Sequence, residues 1–150
     1  MTAAGGVKGV TPYIAVKGAA KAIEFYARAF GAKEAYRLTA PDGSIGHAEI
    51  DIGSSRIMLS DEAPDFGAIS PQTLGGTPVK FHVAVENADK AVARAVEAGA
   101  TVLRPVQDQF FGERSGMVAD PFGHQWFLSQ HIRDVSPAEM QKLFDDAFKT

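Results

Sequence analysis

The chain contains no cysteine in its 150 residues. Disulfide bonds, thiolate metal sites and cysteine nucleophiles are therefore excluded. Long apolar runs are also absent: the N-terminal stretch MTAAGGVKGV lacks the hydrophobic core of a secretory signal, and no segment is long enough to cross a bilayer. We therefore expect a soluble, cytoplasmic protein with no membrane partner.

The chain also lacks an excess of basic residues, because its formal net charge is -3 at pH 7. Domains that bind nucleic acid usually present a basic patch, so no nucleic-acid partner is expected. A chain of this length buries enough surface to be stable without cross-links. The composition thus favours an ordinary globular domain whose partner is a small molecule or another protein.

The sequence repeats itself. A shift of 69 residues lays VTPYIAVKGAAKA on VKFHVAVENADKA. Each half begins with an alternating strand, Thr11–Val16 or Lys80–Val85, and continues with a helix, Ala19–Phe30 or Ala88–Ala98. Another strand, a turn and a hairpin follow in both halves. Each half is therefore predicted to have the order β-α-β-β-β, which gives an α+β fold.

We predict a single domain over residues 1–150, built of repeats 7–60 and 76–131 with a linker at 61–75 that is rich in Pro and Gly. A C-terminal helix is predicted at 136–149, because SPAE provides an N-cap Ser, a Pro at the first helical position and the Glu of a capping box. Its apolar stripe is expected to pack on the domain or on a second subunit, and consists of Met140, Leu143, Phe144 and Phe148.

Alternation along the strands predicts two different sheet faces. The face covered by helices receives apolar residues, among them Ile14, Val16, Ile50, Leu59, Trp126 and Leu128. The opposite face mixes polar, aromatic and aliphatic residues, among them Tyr13, His47, Glu49, Met58, Lys80, His82 and Phe127. A concave face of this mixed character suits a small-molecule pocket.

The stretch DPFGHQW combines a tight turn with the start of the last strand. Asp120 and Pro121 favour the first turn positions, and Gly123 suits a position with positive φ. His124 shares the helix-facing side with Trp126, so we expect it to form a structural hydrogen bond.

Three segments of the chain resemble the vicinal oxygen chelate superfamily, which includes glyoxalase I, extradiol dioxygenases and the bleomycin and fosfomycin resistance proteins. They are VKGAAKAIEFYARAFGAKEAYRL, VAVENADKAVARAVEAGATV and DPFGHQWFL. The resemblance implies two βαβββ modules paired around a curved sheet that forms a cup, and it implies a homodimer.

The resemblance also bears on metal binding. In metal-using relatives, the first and last strands of each module supply four ligands, and the repeat carries these positions over as Thr11, Met58, Lys80 and Phe127. None of the four is a histidine or a carboxylate, and a methionine thioether suits soft ions rather than magnesium, manganese or zinc. The sequence therefore predicts a bacterial subgroup that lacks the usual metal ligands and needs no cofactor.

His47 and Glu49 point to the same face of one strand, and Tyr13 and His82 occupy equivalent positions in the two halves. His47 and Glu49 are candidates for an acid/base pair. With His82 they are the alternative candidates for a shifted divalent-metal site. In a third interpretation they form a hydrogen-bonded patch that shapes a ligand pocket or lines a dimer contact.

Lys80 and Arg114 are candidates for binding an anionic group, with Phe110 and Phe111 available to stack on a planar ligand. In the alternative interpretation, Arg114 pairs with Glu113 or Asp108 and orders its loop, while the two phenylalanines pack on a partner helix.

These patterns predict a glyoxalase/bleomycin-resistance-like protein that binds a small aromatic or anionic molecule without the usual metal. The predicted ligand-binding residues are Tyr13, His47, Glu49, Met58, Lys80, His82, Phe110, Arg114 and Phe127. One alternative is a lyase, isomerase or dioxygenase that uses the shifted metal site or metal-free acid/base catalysis. Another is an interaction module whose sheet face is covered by a protein partner.

Overall fold

The computed structural model describes residues 4–149. The first half consists of β1 (Tyr13–Val16), α1 (Ala19–Phe30), β2 (Lys33–Thr39), β3 (Ile45–Ile52) and β4 (Ser55–Asp61). A 3-10 helix (Pro64–Phe66) and α2 (Pro71–Leu74) lie between the halves. The second half consists of β5 (Lys80–Ala84), α3 (Ala88–Ala98), β6 (Thr101–Asp108), β7 (Glu113–Ala119) and β8 (Gln125–His131), and α4 (Pro137–Ala147) follows. A short 3-10 helix (Ala4–Gly6) precedes β1. The predicted α+β fold with two βαβββ modules and a C-terminal helix is confirmed.

The eight strands form two four-stranded sheets of the same topology. The strand order is β1-β4-β3-β2 in the first sheet and β5-β8-β7-β6 in the second. In both, the first strand pairs in parallel with the last, and the remaining pairs are antiparallel. β1 and β5 are consequently edge strands.

Equivalent side chains fix the helix of each half to the end of its last strand. In the first half, a carboxylate oxygen of Asp61 accepts hydrogen bonds from the backbone N–H groups of Gly18 and Ala19, at 3.0 and 2.7 Å. In the second half, the amide oxygen of Gln130 accepts from the N–H of Ala88 at 3.0 Å. The first N–H groups of a helix have no partner within it, so both contacts cap a helix from across the sheet.

The two halves share one hydrophobic core between their helix-facing sides. The predicted apolar faces of the strands are buried there, as are most of the large residues of α1. Aromatic rings cross the boundary between the halves: the Trp126 ring centroid lies 5.5 Å from that of Tyr26 and 4.8 Å from that of Phe30. The Arg94 guanidinium of α3 donates to the carbonyl oxygen of Arg28 in α1 at 2.6 Å.

The C-terminal helix packs little of its apolar stripe. None of its residues is buried, and Phe144 and Phe148 remain 47% and 72% exposed. The Phe144 ring contacts the Phe110 ring, with centroids 6.1 Å apart. Within residues 4–149, no helix is both long and apolar enough to span a membrane.

Candidate functional site

Side chains on the face of the first sheet that lies away from the helices, its open face, stand in a row across four strands. The register places Tyr13 beside Met58, Met58 beside Glu49, and Glu49 beside Tyr36. His47 lies two residues before Glu49 on β3, so the two side chains share this face. The structure therefore brings together Tyr13, His47, Glu49 and Met58, as predicted for one sheet face.

A chain of hydrogen bonds links the polar members of this row. His47 Nε2 lies 2.8 Å from a carboxylate oxygen of Glu49, and His47 Nδ1 lies 2.7 Å from the Tyr13 hydroxyl. Because an ionised carboxylate only accepts hydrogen bonds, Nε2 donates to Glu49. In the tautomer with its proton on Nε2, Nδ1 accepts from the Tyr13 hydroxyl. The hydrogen bonds thus run from Tyr13 to His47 and from His47 to Glu49.

Glu49 is held by more than His47. It is only 7% exposed, and it accepts hydrogen bonds from the Tyr36 hydroxyl at 2.7 Å and from Arg56 Nη1 at 3.1 Å. The hydrogen bonds from His47 and Tyr36 lower the pKa of the Glu49 carboxyl, and the bond to Glu49 raises the pKa of Tyr36. Glu49 is therefore ionised at neutral pH, and both of its oxygens have a protein donor.

Arg56 completes the network on β4. Its Nε and Nη2 atoms lie 2.8 and 3.0 Å from the two carboxylate oxygens of Asp51, its neighbour across the strand pair. The hydrogen bond and charge of Asp51, with a smaller contribution from Glu49, raise the pKa of Arg56. A guanidinium held in this bidentate way has a defined orientation. Arg56 in turn restrains the Glu49 carboxylate that contacts His47.

A cavity of about 500 Å³ adjoins this network, and we name it the first-sheet pocket. Its lining residues are Tyr13, Ala15, Gly46, Ser60, Ala63, Phe66, Gly67, Ala68 and Ile69. Most of the wall comes from the segment after β4, which the sequence predicted only as a linker. Of the networked side chains described above, Tyr13 alone lines the pocket.

The open face of the second sheet carries an equivalent row with different chemistry. The register places His82 beside Phe127, Phe127 beside Met117, and Met117 beside Arg104. A cavity of about 230 Å³ lies over this row, and we name it the second-sheet pocket. Its lining residues are His82, Arg104, Gln109, Phe111, Ser115, Gly116 and Phe127.

Arg104 is the cationic group of the second-sheet pocket. Among residues 4–149, no carboxylate forms an ion pair with it. Arg114, which the sequence suggested for this role, is instead engaged by two carboxylates. It contacts Asp89 at 2.8 Å and Asp108 at 2.9 Å. The structure thus has the ion pair with Asp108 that the alternative interpretation expects, whereas binding of an anion by Arg114 stays a prediction.

Two other predicted ligand-binding residues lie outside the second-sheet pocket. Phe110 packs edge-on against Phe111, with ring centroids 5.3 Å apart, and against Phe144 of α4. It therefore anchors the C-terminal helix. Lys80 is exposed at the start of β5, beside Gln125, and does not line the pocket.

The side chains at the usual metal positions do not fit a divalent cation. Thr11, Met58, Lys80 and Phe127 stand at those positions, and the register places Tyr13 beside Met58 and His82 beside Phe127. A thioether and a phenyl ring offer no ligand to magnesium or zinc, and a lysine ammonium repels a dication until it is deprotonated. Of the two register neighbours, His82 is a common metal ligand, whereas the Tyr13 hydroxyl already donates to His47.

The alternative metal site at His47, Glu49 and His82 is not assembled either. His47 and Glu49 belong to the network of the first sheet, whereas His82 lines the second-sheet pocket. Throughout residues 4–149, no three His, Asp or Glu side chains form a group that could hold a metal ion. The residues present therefore do not fit the shifted site.

The sequence did not identify Tyr36, Arg56 or Arg104 as site residues. Tyr36 and Arg104 lie on outer strands whose registers shift, between Glu34 and Tyr36 in β2 and between Val102 and Arg104 in β6. Such bulges reverse the face on which the following side chain lies, so simple alternation misplaces it. Alternation places Arg56 on the same face as Met58, and its position opposite Asp51 is a signal that could have revealed the ion pair.

Comparisons with known proteins agree with this architecture. Residues 8–128 match the family model of the Glyoxalase/Bleomycin resistance protein/Dioxygenase superfamily. An uncharacterized protein of Mycobacterium bovis is 44% identical over 135 residues, which cover 88% of this chain and 89% of that protein. The crystal structure of an Arabidopsis thaliana gene product is 26% identical with a TM-score of 0.66, covering 82% of this chain and 98% of that one. TioX from Micromonospora sp. ML1 is also 26% identical, with a TM-score of 0.64 and coverage of 86% and 100%. The chain therefore belongs to the glyoxalase/bleomycin resistance protein/dioxygenase superfamily.

Proposed function

We propose that this protein binds a compact aromatic anion in the second-sheet pocket and does so without a metal ion. The observation that carries the proposal is the row His82–Phe127–Met117–Arg104, which ends in a guanidinium with no carboxylate partner among residues 4–149. An arginine of this kind retains its bidentate hydrogen-bonding capacity for the carboxylate of a ligand.

The rest of the pocket suits an aromatic ring. Phe127 and Phe111 supply apolar surface and π-faces, while His82, Gln109 and Ser115 supply hydrogen-bonding groups around them. Drug-sized ligands usually occupy pockets of about 300–1,000 Å³. The cavity of about 230 Å³ is smaller, so we infer a ligand with a single ring.

The catalytic alternative, a lyase, isomerase or dioxygenase that uses His47 and Glu49 directly, has less support. A general base needs a free atom within hydrogen-bonding distance of the substrate. Both ring nitrogens of His47 and both carboxylate oxygens of Glu49 already have protein partners. The network therefore supports the third interpretation, in which these residues form a hydrogen-bonded patch that shapes a pocket. It gives less support to the interpretation in which His47 or Glu49 acts directly on a substrate.

We also propose that the protein is a homodimer. A groove of about 880 Å³ runs between the halves, and its walls include the start of the first half at Val10 and the edge strand β5. Val10 is 93% exposed in this groove. Unpaired strand edges are surfaces that natural proteins usually cover. A second copy of the chain would cover both at once.

The ligand proposal is tested by thermal shift with benzoate, with benzyl alcohol as the neutral ring and with acetate as the anion without a ring. We expect only benzoate to raise the melting temperature, equally in the presence and absence of EDTA. By calorimetry, Arg104→Gln should weaken benzoate binding about tenfold, because a hydrogen bond to a charged group contributes about 1.5–3 kcal/mol.

Lys80→Gln is the matched control, because it removes a cation near the pocket that does not line it. Its benzoate affinity should stay within about twofold of the unmodified protein. Equal affinities of the Arg104→Gln and Lys80→Gln proteins would contradict the proposed ligand site. Elemental analysis that finds one tightly held divalent ion per chain would contradict metal-independent binding.

A further inference from the structure

We propose that Tyr13 is the reactive group of a second site, in the first-sheet pocket, and that His47 and Glu49 activate it as a proton relay. This site is separate from the proposed anion site in the second-sheet pocket. It also differs from direct catalysis by His47 or Glu49, because the atom that meets the substrate is the phenolic oxygen of Tyr13.

The hydrogen bonds assign this role to Tyr13. Its hydroxyl proton is directed at His47 Nδ1, 2.7 Å away, which leaves the lone pairs of the phenolic oxygen without a partner in the network. Tyr13 is 52% exposed and lines the first-sheet pocket. His47 and Glu49 are therefore connected to that pocket through the Tyr13 hydroxyl.

The relay is held in one arrangement by its surroundings. The His47 ring lies between the rings of Tyr13 and Tyr36, and its Nε2 proton is fixed by the buried Glu49 carboxylate. Tyr36 and Arg56 restrain Glu49 in turn. A carboxylate that orients an imidazole, which then accepts the proton of a hydroxyl, is the general arrangement that activates a nucleophile or base.

The fold itself does not require this network. In the second sheet, the register places Met117 where the first sheet has Glu49, and Arg104 where it has Tyr36. His82 and Phe127 form the same parallel pair as Tyr13 and Met58. Because the second module is complete without a His–Glu pair, the pair in the first module has a role beyond holding the sheet together.

The chemistry that this arrangement supports is proton abstraction from a bound weak acid. The bond between hydrogen and the substrate atom breaks, and its electron pair stays on the substrate. The proton passes to the Tyr13 oxygen while the original Tyr13 proton passes to His47 Nδ1, and the Glu49 carboxylate stabilises the imidazolium. The pocket wall is about equally polar and apolar, with Ala63, Phe66 and Ile69 beside Ser60, so the substrate is a compact molecule that carries both apolar and polar groups.

Benzenesulfonyl fluoride is the probe for this relay, because it reports the reactivity of a tyrosine without a known substrate. The phenolic oxygen attacks sulfur, the S–F bond breaks, fluoride leaves, and the phenolic proton passes to His47. Tyr36 is the internal comparison: it is 43% exposed and belongs to the same network, but its hydroxyl donates to a carboxylate. By mass spectrometry, we expect Tyr13 to be labelled at least about tenfold faster than Tyr36, as general-base assistance requires.

Three variants complete the test. His47→Asn removes the imidazole, and Glu49→Gln removes the carboxylate that orients the imidazole. In both proteins, the rate of Tyr13 labelling should therefore fall to that of Tyr36. His131→Asn changes an exposed histidine of β8 and should label like the unmodified protein. Equal rates at Tyr13 and Tyr36 in the unmodified protein would overturn the proposal, and this comparison needs no variant to fold. Rapid Tyr13 labelling that survives His47→Asn would overturn it as well.

Discussion

Asp120 is a buried carboxylate that accepts four hydrogen bonds at the junction of the two halves. One oxygen accepts from the Tyr26 hydroxyl at 2.6 Å and from Trp126 Nε1 at 2.9 Å. The other accepts from the backbone N–H groups of Phe122 and His124 at 2.8 and 3.0 Å. A buried charge is tolerated only when its hydrogen bonds are satisfied. Tyr26 of the first half is therefore part of the environment that the second half needs.

We expect Tyr26→Phe to lower the free energy of unfolding by about 1.5–3 kcal/mol, because it leaves one lone pair of buried Asp120 without a donor. Urea denaturation measures this cost. Tyr13→Phe is the matched control, since it removes the same hydroxyl from a half-exposed ring whose partner is the His47 imidazole rather than a buried carboxylate, and it should cost less than about 1 kcal/mol. Equal costs for the two variants would show that the Asp120 contact does not stabilise the junction.

The residues next to Asp120 in the sequence are sufficient to predict the turn that it starts. They do not predict which distant side chains donate hydrogen bonds to Asp120. The DPFG turn forms as predicted, with Gly123 at φ 93°, and His124 makes the expected structural hydrogen bond, Nε2 to the Ala15 carbonyl oxygen at 3.0 Å. The bond to Tyr26 spans 94 positions of the chain. No periodicity or turn rule encodes a contact at that separation, because it depends on how the two halves pack.

At the scale of elements, the segment between the halves is more ordered than a linker. Ser70 caps α2, and the Glu62 carboxylate accepts from the Ser70 backbone N–H at 2.8 Å. Gln72 donates to the Pro121 carbonyl oxygen at 3.0 Å, and an added Cβ at Gly123 would lie 2.8 Å from that of Pro71. The Pro and Gly content predicts where such a segment turns. It does not predict that the segment packs against the second half of the chain and lines the pocket of the first half.

Hydrogen bonds from Ser70 and Thr73 lower the pKa of Glu62 to about 2. A carboxyl whose pKa is lower in the folded state stabilises the protein above its unfolded pKa, and this contribution is lost as the pH falls through the folded value. We therefore expect Glu62→Gln to be less stable than the unmodified protein at pH 7. The difference in unfolding free energy should shrink as the pH falls from about 4.5 to about 2.

Asp65→Asn is the control for this pH series, because Asp65 lies in the same segment and accepts no side-chain hydrogen bond from residues 4–149. Its effect on unfolding free energy at pH 7 should be smaller than that of Glu62→Gln. A Glu62→Gln difference that stays constant from pH 7 to pH 2 would contradict the proposed role of the Glu62 carboxylate.

At the scale of the whole molecule, the repeat predicted two equivalent modules but not how they divide the candidate residues. Tyr13, His47, Glu49 and Met58 lie on one open face, and His82 and Phe127 lie on the other. The sequence placed them in one cup, because alternation identifies the face on which a side chain lies but not which sheet faces meet. The relative position of the two faces depends on the packing of α1 on α3 and on the hydrogen bond between Tyr26 and Asp120.

Sedimentation equilibrium tests the proposed homodimer. We expect a dimer at micromolar concentration, and we expect Val10→Glu to shift it toward monomer, because this residue lines the groove and would place a charge in the interface. Val7→Glu is the control, since Val7 is 73% exposed but does not line the groove. A monomeric unmodified protein would disprove the dimer, and equal effects of the two variants would place the interface elsewhere.

The shared core has a consequence for how the chain unfolds. If either half opened alone, Asp120 would lose Tyr26, and the Trp126 ring would lose its contacts with Phe30. An intermediate with one folded half would therefore expose apolar surface and carry an unsatisfied charge, so it would be sparsely populated. Two modules with separate sheets and separate pockets thus form one cooperative unit, and thermal melting should report a single transition for both pockets.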